Sequence, residues 1–266
     1  MLDAKPSMEK LRWIMTQLRD PVSGCPWDIK QDFASIVPHT LEEAYEVADA
    51  IAQQDFTELE KELGDLLFQV VFYAQLGQED RKFDLDSVIA AICEKLIRRH
   101  PHVFGDTSLT TDAEIKANWE NEKAKERQHK NKTRALSILA DIPKNLPALS
   151  QANKIQKRCA HVGFDWNNLD DVFAKVEEEV QEVKEQLYGE QDKLAEELGD
   201  LLFAVVNVCR HIKQDPEAIL RAANNKFTKR FEAVEKKVEG SGKTIQEHDI
   251  TALEQYWQQV KVEQAS

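Results

Sequence analysis

The chain has 266 residues, 42% hydrophobic and 31% charged, and its 48 acidic side chains against 35 basic ones leave a formal net charge of −13. That length allows one large core or two domains of about 100 to 150 residues, and the charge argues against nonspecific attachment to nucleic acid or anionic membrane. No apolar run of about 20 residues occurs, and the opening MLDAKPSMEKLRW lacks the apolar core of a secretory signal, which points to a cytoplasmic protein.

Apolar residues recur at three and four positions rather than at alternate ones, so the spacing predicts an all-α protein. In chain order the expected helices are 8–19, 41–53, 58–76, 85–99 and 112–125, then 148–159, 169–187, 192–212, 216–238 and 250–262. The pair His100 and Pro101 indicates an early stop to the fourth of these. The polar stretch 120–134, ENEKAKERQHKNKTR, with Pro143 and Pro147 beyond it, marks a boundary. The expected organisation is therefore a first helical-bundle domain at 1–128, a linker at 129–146 and a second bundle at 147–266. Cys25, Cys93, Cys159 and Cys209 form no CxxC pair and are read as reduced packing residues. His100 and His102 are read as exposed loop residues.

The two expected domains are copies. Glu62 to Val71 reads ELGDLLFQVV and Glu197 to Val206 reads ELGDLLFAVV, differing only at Gln69 and Ala204. Upstream, EEAYEV at Glu42 to Val47 matches EEVQEV at Glu178 to Val183. The offset, near 135 residues by position, is that of a duplicated domain rather than a short solenoid repeat.

Residues three apart on a helix lie about 60° apart in projection and about 4.5 Å along the axis, so they share a face. Glu43 with Glu46 and Glu62 with Asp65 are such pairs, and so are Glu179 with Glu182 and Glu197 with Asp200. A short antiparallel connection would bring each pair opposite the next, four carboxylates to a set. Any single ExxE in so charged a chain is more often a solvated face; its recurrence beside a strongly apolar run points inward instead. Gly64 and Gly199 sit inside these helices at a cost of about 1 kcal/mol against Ala, which suggests close approach by a neighbouring backbone. Two unit charges about 4 Å apart at an effective dielectric near 20 repel by about 4 kcal/mol, so such a set calls for a cation. All-oxygen ligands without a Glu-x-x-His partner favour magnesium, with manganese as the alternative.

EExxE followed by ExxD on neighbouring helices resembles the MazG family of all-α nucleoside triphosphate pyrophosphohydrolases. The likeness covers both copies and extends to KIQKRCAHVGFDW at Lys154 to Trp166 and NNKFTKRF at Asn224 to Phe231. It implies that water attacks the α-phosphorus of ribo- and deoxyribonucleoside triphosphates, yielding monophosphate and pyrophosphate, with magnesium as cofactor and a homodimer as the assembly. By position, Glu179, Glu182, Glu197 and Asp200 would hold metal, with Glu43, Glu46, Glu62 and Asp65 as a second set. Glu178 is the expected proton acceptor. Lys175, Lys193, Glu196, Lys226, Arg230 and Trp257 are the expected substrate contacts. At the positions of Asn225, Lys226 and Arg230 the first copy has Glu94, Lys95 and Arg99, so an added carboxylate there should weaken polyphosphate binding. The second copy is therefore expected to be the principal catalyst. A noncatalytic helical regulator binding nucleotide or a basic partner remains the rival reading; isoprenoid diphosphate chemistry would need DDxxD-like segments that the chain lacks.

Overall fold

The computed structural model describes residue 2, residues 5–130 and residues 137–264, giving the backbone alone for 127–130. Two compact units emerge, Met1–Lys130 and Asn131–Ser266. The 131–136 part of the expected linker lies outside the described residues. Among the described residues there are α-helices and one short 3-10 turn but no strand, so the all-α expectation is met. No helix among them is long and apolar enough to cross a membrane.

The first unit comprises α1 (Met8–Leu18), α2 (Pro26–Lys30), α3 (Phe33–Gln53), α4 (Phe56–Glu79), α5 (Leu85–Arg99), α6 (Pro101–Phe104) and α7 (Asp112–Lys130). Its principal packed pair is α3 and α4. Gln54 takes a left-handed conformation (φ 58°) and the Asp55 side chain accepts from the Thr57 and Glu58 N–H groups, so two residues reverse the chain. α3 starts at Phe33 rather than at 41, because Asp32 and Ser35 form a capping box upstream of Pro38. Pro38 falls in the second turn, where its missing N–H costs one early hydrogen bond without ending the helix. Met15, Ile36, Val71, Phe72, Ala74, Leu76 and Leu85 form the buried centre. α5 does end just before Pro101, and its last carbonyl, on Arg99, accepts from Trp119 Nε1 at 3.1 Å and Asn118 Nδ2 at 3.3 Å. His100 and His102 are not the exposed loop residues expected: both are half-buried, and His100 packs edge-on to Trp119 at 5.4 Å.

The second unit comprises α8 (Ala148–His161), α9 (Leu169–Gln186), α10 (Gln191–His211), α11 (Pro216–Gly240), a 3-10 turn at Ile245–Glu247 and α12 (Ile250–Glu263). Asn168 caps α9 through the Asp171 N–H and Asp215 caps α11 through the Ala218 N–H, each fixing the start its sequence indicates. α9 and α10 are the main packed pair, as α3 and α4 are in the first unit, and α8 lies against α10. Val234, Val238 and Val260 join α11 to α12, with Trp257 against them. All four cysteines are free thiols; Cys209 is buried, but Cys93 is exposed and so is no packing residue.

Candidate functional site

In the second unit the α9–α10 hairpin carries EEVQE against ELGD, and the result is a close carboxylate triple. Oxygens of Glu179, Glu182 and Glu197 all lie within 4.8 Å of one another. Glu179 is the buried member, 5% exposed. Its Oε1 accepts from Lys175 Nζ at 2.7 Å, and its Oε2 is buried with no hydrogen-bond partner. Lys175 also donates to Glu178 Oε1 at 2.8 Å, and the two carboxylates hold its ammonium well above the usual lysine range, Glu178 contributing most. The Glu182 carboxyl is pushed up, first by loss of water contact and then by Glu179 beside it.

The first unit builds a related triple from Glu43, Glu62 and Asp65. Burial, and then the negative charge of Asp65, raises the Glu43 carboxyl; burial and Glu46 raise that of Glu62. Neither unit closes all four expected carboxylates into one group. Glu46 stays outside the first triple and Asp200 outside the second, a division that like-charge repulsion favours. The expected close approach at Gly64 and Gly199 is absent within either unit: a Cβ added at each would meet nothing within 4 Å.

A cavity of about 610 Å³ opens beside the second triple. Lys175, Glu179 and Asp200 line it, so three of the expected site residues converge there. Its remaining wall comes from α8, α10 and the loop between α8 and α9, and includes Gln156, Phe164, Asp165, Trp166, Asn207 and Arg210. Asp165 ties that loop to α10: it accepts from Arg210 Nη1 at 2.8 Å and lies 3.1 Å from His211 Nε2, and Arg210 chiefly holds its carboxyl low. Gln156 donates through Nε2 to the Phe203 carbonyl at 2.8 Å, whereas its Oε1, like Oδ1 of the equally buried Asn153, has no partner. An unpaired buried acceptor typically costs about 1–3 kcal/mol, so two on one helix face are a marked concession.

Other expected contacts lie elsewhere. Glu178 is exposed and occupied by Lys175 rather than lining the cavity. Lys193 is exposed and faces Glu190 at 3.4 Å, and Glu196 is exposed. Lys226 is exposed on α11, and Arg230 donates to Gln264 at 3.2 Å. Trp257 packs between α11 and α12 with its ring 5.0 Å from Phe227, as part of a core. Sequence reasoning missed Gln156, Asp165, Asn207 and Arg210. The signal was available just past the duplicated decapeptide, where the copies part: FYAQ at Phe72 to Gln75 faces NVCR at Asn207 to Arg210.

The residues present suit a hard divalent ion. Every donor is a carboxylate oxygen, and Glu179 Oε2 is a buried oxygen lacking a partner. Oxygens on opposite sides of a magnesium ion lie about 4 Å apart, slightly less than the 4.8 Å within which the triple's oxygens lie, so a small inward shift would close them on an ion.

Fold and site thus define an all-α protein in which one helical hairpin, built twice, gathers carboxylates, in the second copy beside Lys175. The family model for the MazG nucleotide pyrophosphohydrolase domain matches twice, at residues 31–104 and 168–238. The nucleoside triphosphate pyrophosphohydrolase of Escherichia coli (strain K12) is 53% identical over 257 residues, 96% of this chain and 97% of that protein. The nucleoside triphosphate pyrophosphohydrolase/pyrophosphatase MazG of Thermotoga maritima is 42% identical over 261 residues, 98% of both. A crystal structure of a MazG-related protein from Thermotoga maritima aligns at 30% identity with a TM-score of 0.38, covering 44% of this chain and 99% of that one. The chain belongs to the MazG nucleotide pyrophosphohydrolase family.

Proposed function

We propose that the chain is a magnesium-dependent enzyme of the cytoplasm that hydrolyses ribo- and deoxyribonucleoside triphosphates to monophosphate and pyrophosphate, mainly in its second unit. The observation that carries this reading is the triple of Glu179, Glu182 and Glu197, of which Glu179 lines a cavity that also takes in Lys175 and Asp200. Glu179, Glu182, Glu197 and Asp200 would hold magnesium, or manganese in its place, which neutralises phosphate oxygens and acidifies bound water.

The side chains then have separable tasks. Lys175, shared between Glu178 and Glu179, is the cation nearest the carboxylates and can turn to an incoming phosphate. That turn releases Glu178, which accepts the proton of the water that attacks the α-phosphorus as the bond to the β-phosphate oxygen breaks. Lys193, Lys226 and Arg230 line no part of the cavity, and we assign them to the outer end of the polyphosphate; Glu196, also outside the cavity, is a carboxylate and would reach the substrate only through a metal ion or a hydroxyl. The second unit is preferred on a specific contrast. In the first unit Arg99 is committed to Glu126 at 2.7 Å, whereas Arg230 at the matching position donates to the neutral Gln264 amide at 3.2 Å.

The test is product analysis by anion exchange over a panel of ribo- and deoxyribonucleoside triphosphates, with magnesium or with chelator. Monophosphate and pyrophosphate should form only with metal. Glu179→Gln and Glu197→Gln should each lower kcat by about 10²-fold or more, whereas Glu43→Gln with Glu62→Gln should leave it within about threefold. Loss of turnover in the Glu43 and Glu62 variant alone would move the chemistry to the first unit.

A further inference from the structure

The first unit keeps the carboxylates of the second and changes what surrounds them. Across the duplicated hairpin, His39 stands where the second unit has Lys175, Gln69 where it has Ala204, and Phe72 where it has Asn207. Ala204 and Asn207 line the cavity beside the second triple. Their counterparts are buried instead: Gln69 is 6% exposed, and Phe72 packs with Met15 and Ile36 in the core. The lysine is lost as well. Lys175 donates to Glu178 and Glu179 at 2.8 and 2.7 Å, whereas His39 sets an imidazole nitrogen 3.6 Å from Glu42. The first unit has therefore given up the cation that an incoming phosphate would meet in the second.

What it gains is an oxygen. Glu62, Asp65 and Gln69 follow one another at i, i+3 and i+7, on one face of α4. Gln69 Nε2 meets Glu43 Oε1 at 3.4 Å, a long contact, and Gln69 Oε1 is buried with no hydrogen-bond partner among the described residues. The two atoms share one carbon, so an unused carbonyl oxygen lies next to the triple of Glu43, Glu62 and Asp65. Buried carbonyls are ordinarily paired, and one left open beside carboxylates is repelled by them. A cation reverses that balance, because amide and carboxylate oxygens together make a donor set for a hard divalent ion.

We propose that the first unit holds a resident divalent cation through Glu43, Glu62, Asp65 and Gln69 Oε1, binding it without nucleotide and clasping α3 to α4. A half-turn of the Gln69 carboxamide presents Oε1 to the ion and gives up the 3.4 Å contact with Glu43. The site gives the first unit's carboxylates a task that needs no turnover. It stands apart from the hydrolase reading, which concerns the second unit.

The experiment follows manganese by electron paramagnetic resonance, without nucleotide, in the full chain carrying Glu179→Gln with Glu197→Gln to silence the second unit. This protein should bind about one ion per chain, and further exchange of Glu43→Gln with Glu62→Gln should abolish the binding. Gln69→Ala, which installs the second unit's residue, should weaken it about tenfold or more. Gln69→Leu, closer in volume, takes its place should the first variant fail to fold by circular dichroism. Manganese should also slow hydrogen exchange across 42–65 where the site is intact. Absence of bound manganese, binding that survives the loss of Glu43 and Glu62, or unchanged affinity in a folded Gln69 variant would overturn the site. Any of these leaves the product analysis untouched, and triphosphates left intact in that analysis would leave this site standing.

Discussion

Glu182 shows how the site trades stability for ligand binding at the scale of one residue. Its carboxyl is pushed above its ordinary range by lost hydration and by Glu179, so the folded chain holds this proton more tightly than the unfolded chain does. A raised carboxyl favours folding below the unfolded value, and that advantage disappears as pH rises through the folded one; near neutrality the charged group works against the fold. Glu182→Gln removes the charge and keeps the shape. In chelator at pH 7 this variant should melt higher than the wild type, and added magnesium should raise its melting temperature less. Differential scanning fluorimetry with and without metal checks both, and a lower metal-free melting point would contradict the account. The carboxylates were legible in the sequence because ExxE and ExxD spacing alone sets a helix face, and duplication separated them from the other acidic residues. The carboxamides Gln156 and Asn207 were not, since a lone Gln or Asn carries no spacing signature and their meaning comes from a cavity between helices distant in sequence.

Among elements, the helices themselves were readable and their edges less so. α3 began earlier than expected because the local contest between Pro38 and the Asp32–Ser35 capping box was decided by the cap. α7 is the opposite case: its polar run marks a boundary in the sequence, and in the structure its charges fasten it. Glu126 accepts from Arg99 at 2.7 Å and from Arg98 at 2.6 Å, and Glu122 meets Arg98 at 3.0 Å. With Arg99 as the main cause, the Glu126 carboxyl is held down to about 2. A lowered carboxyl stabilises above its unfolded value, so this docking should be intact above about pH 4.5 and fade as pH falls towards 2. Arg99→Ala should loosen α7 by about 1 kcal/mol, since the pair is only partly shielded from water. Hydrogen exchange would report it as faster exchange in 112–126 at pH 7, with little change in α9 and α10. Equal protection in the variant would mean that Trp119 and Asn118, which hold the Arg99 carbonyl, carry the docking alone.

For the whole molecule, the duplicated decapeptide encodes more than carboxylates. Leu63, Leu67 and Val70 are 49%, 40% and 41% exposed, and their counterparts Leu198, Leu202 and Val205 are 44%, 59% and 43% exposed. Spaced at i, i+4 and i+7, each trio forms one apolar stripe on its helix, next to a glycine whose Cβ position is open. Neither stripe is buried within its unit, and a second copy of the chain is the proposed cover. Gly199→Ala separates this from a merely exposed helix face. On an uncovered helix the exchange should stabilise by up to about 1 kcal/mol, because Ala is the better helix former and meets no clash. Beneath a partner chain it should weaken association, because the added methyl occupies the line of closest approach. Light scattering after size exclusion should therefore give a dimer for the wild type, a dimer with weaker association for Gly199→Ala, and a monomer for Leu67→Glu with Leu202→Glu, whose charges would have to be buried. Higher stability in Gly199→Ala with the dimer unchanged would place the interface on another face, and the conservation of this decapeptide between the two copies would then rest on the carboxylates alone.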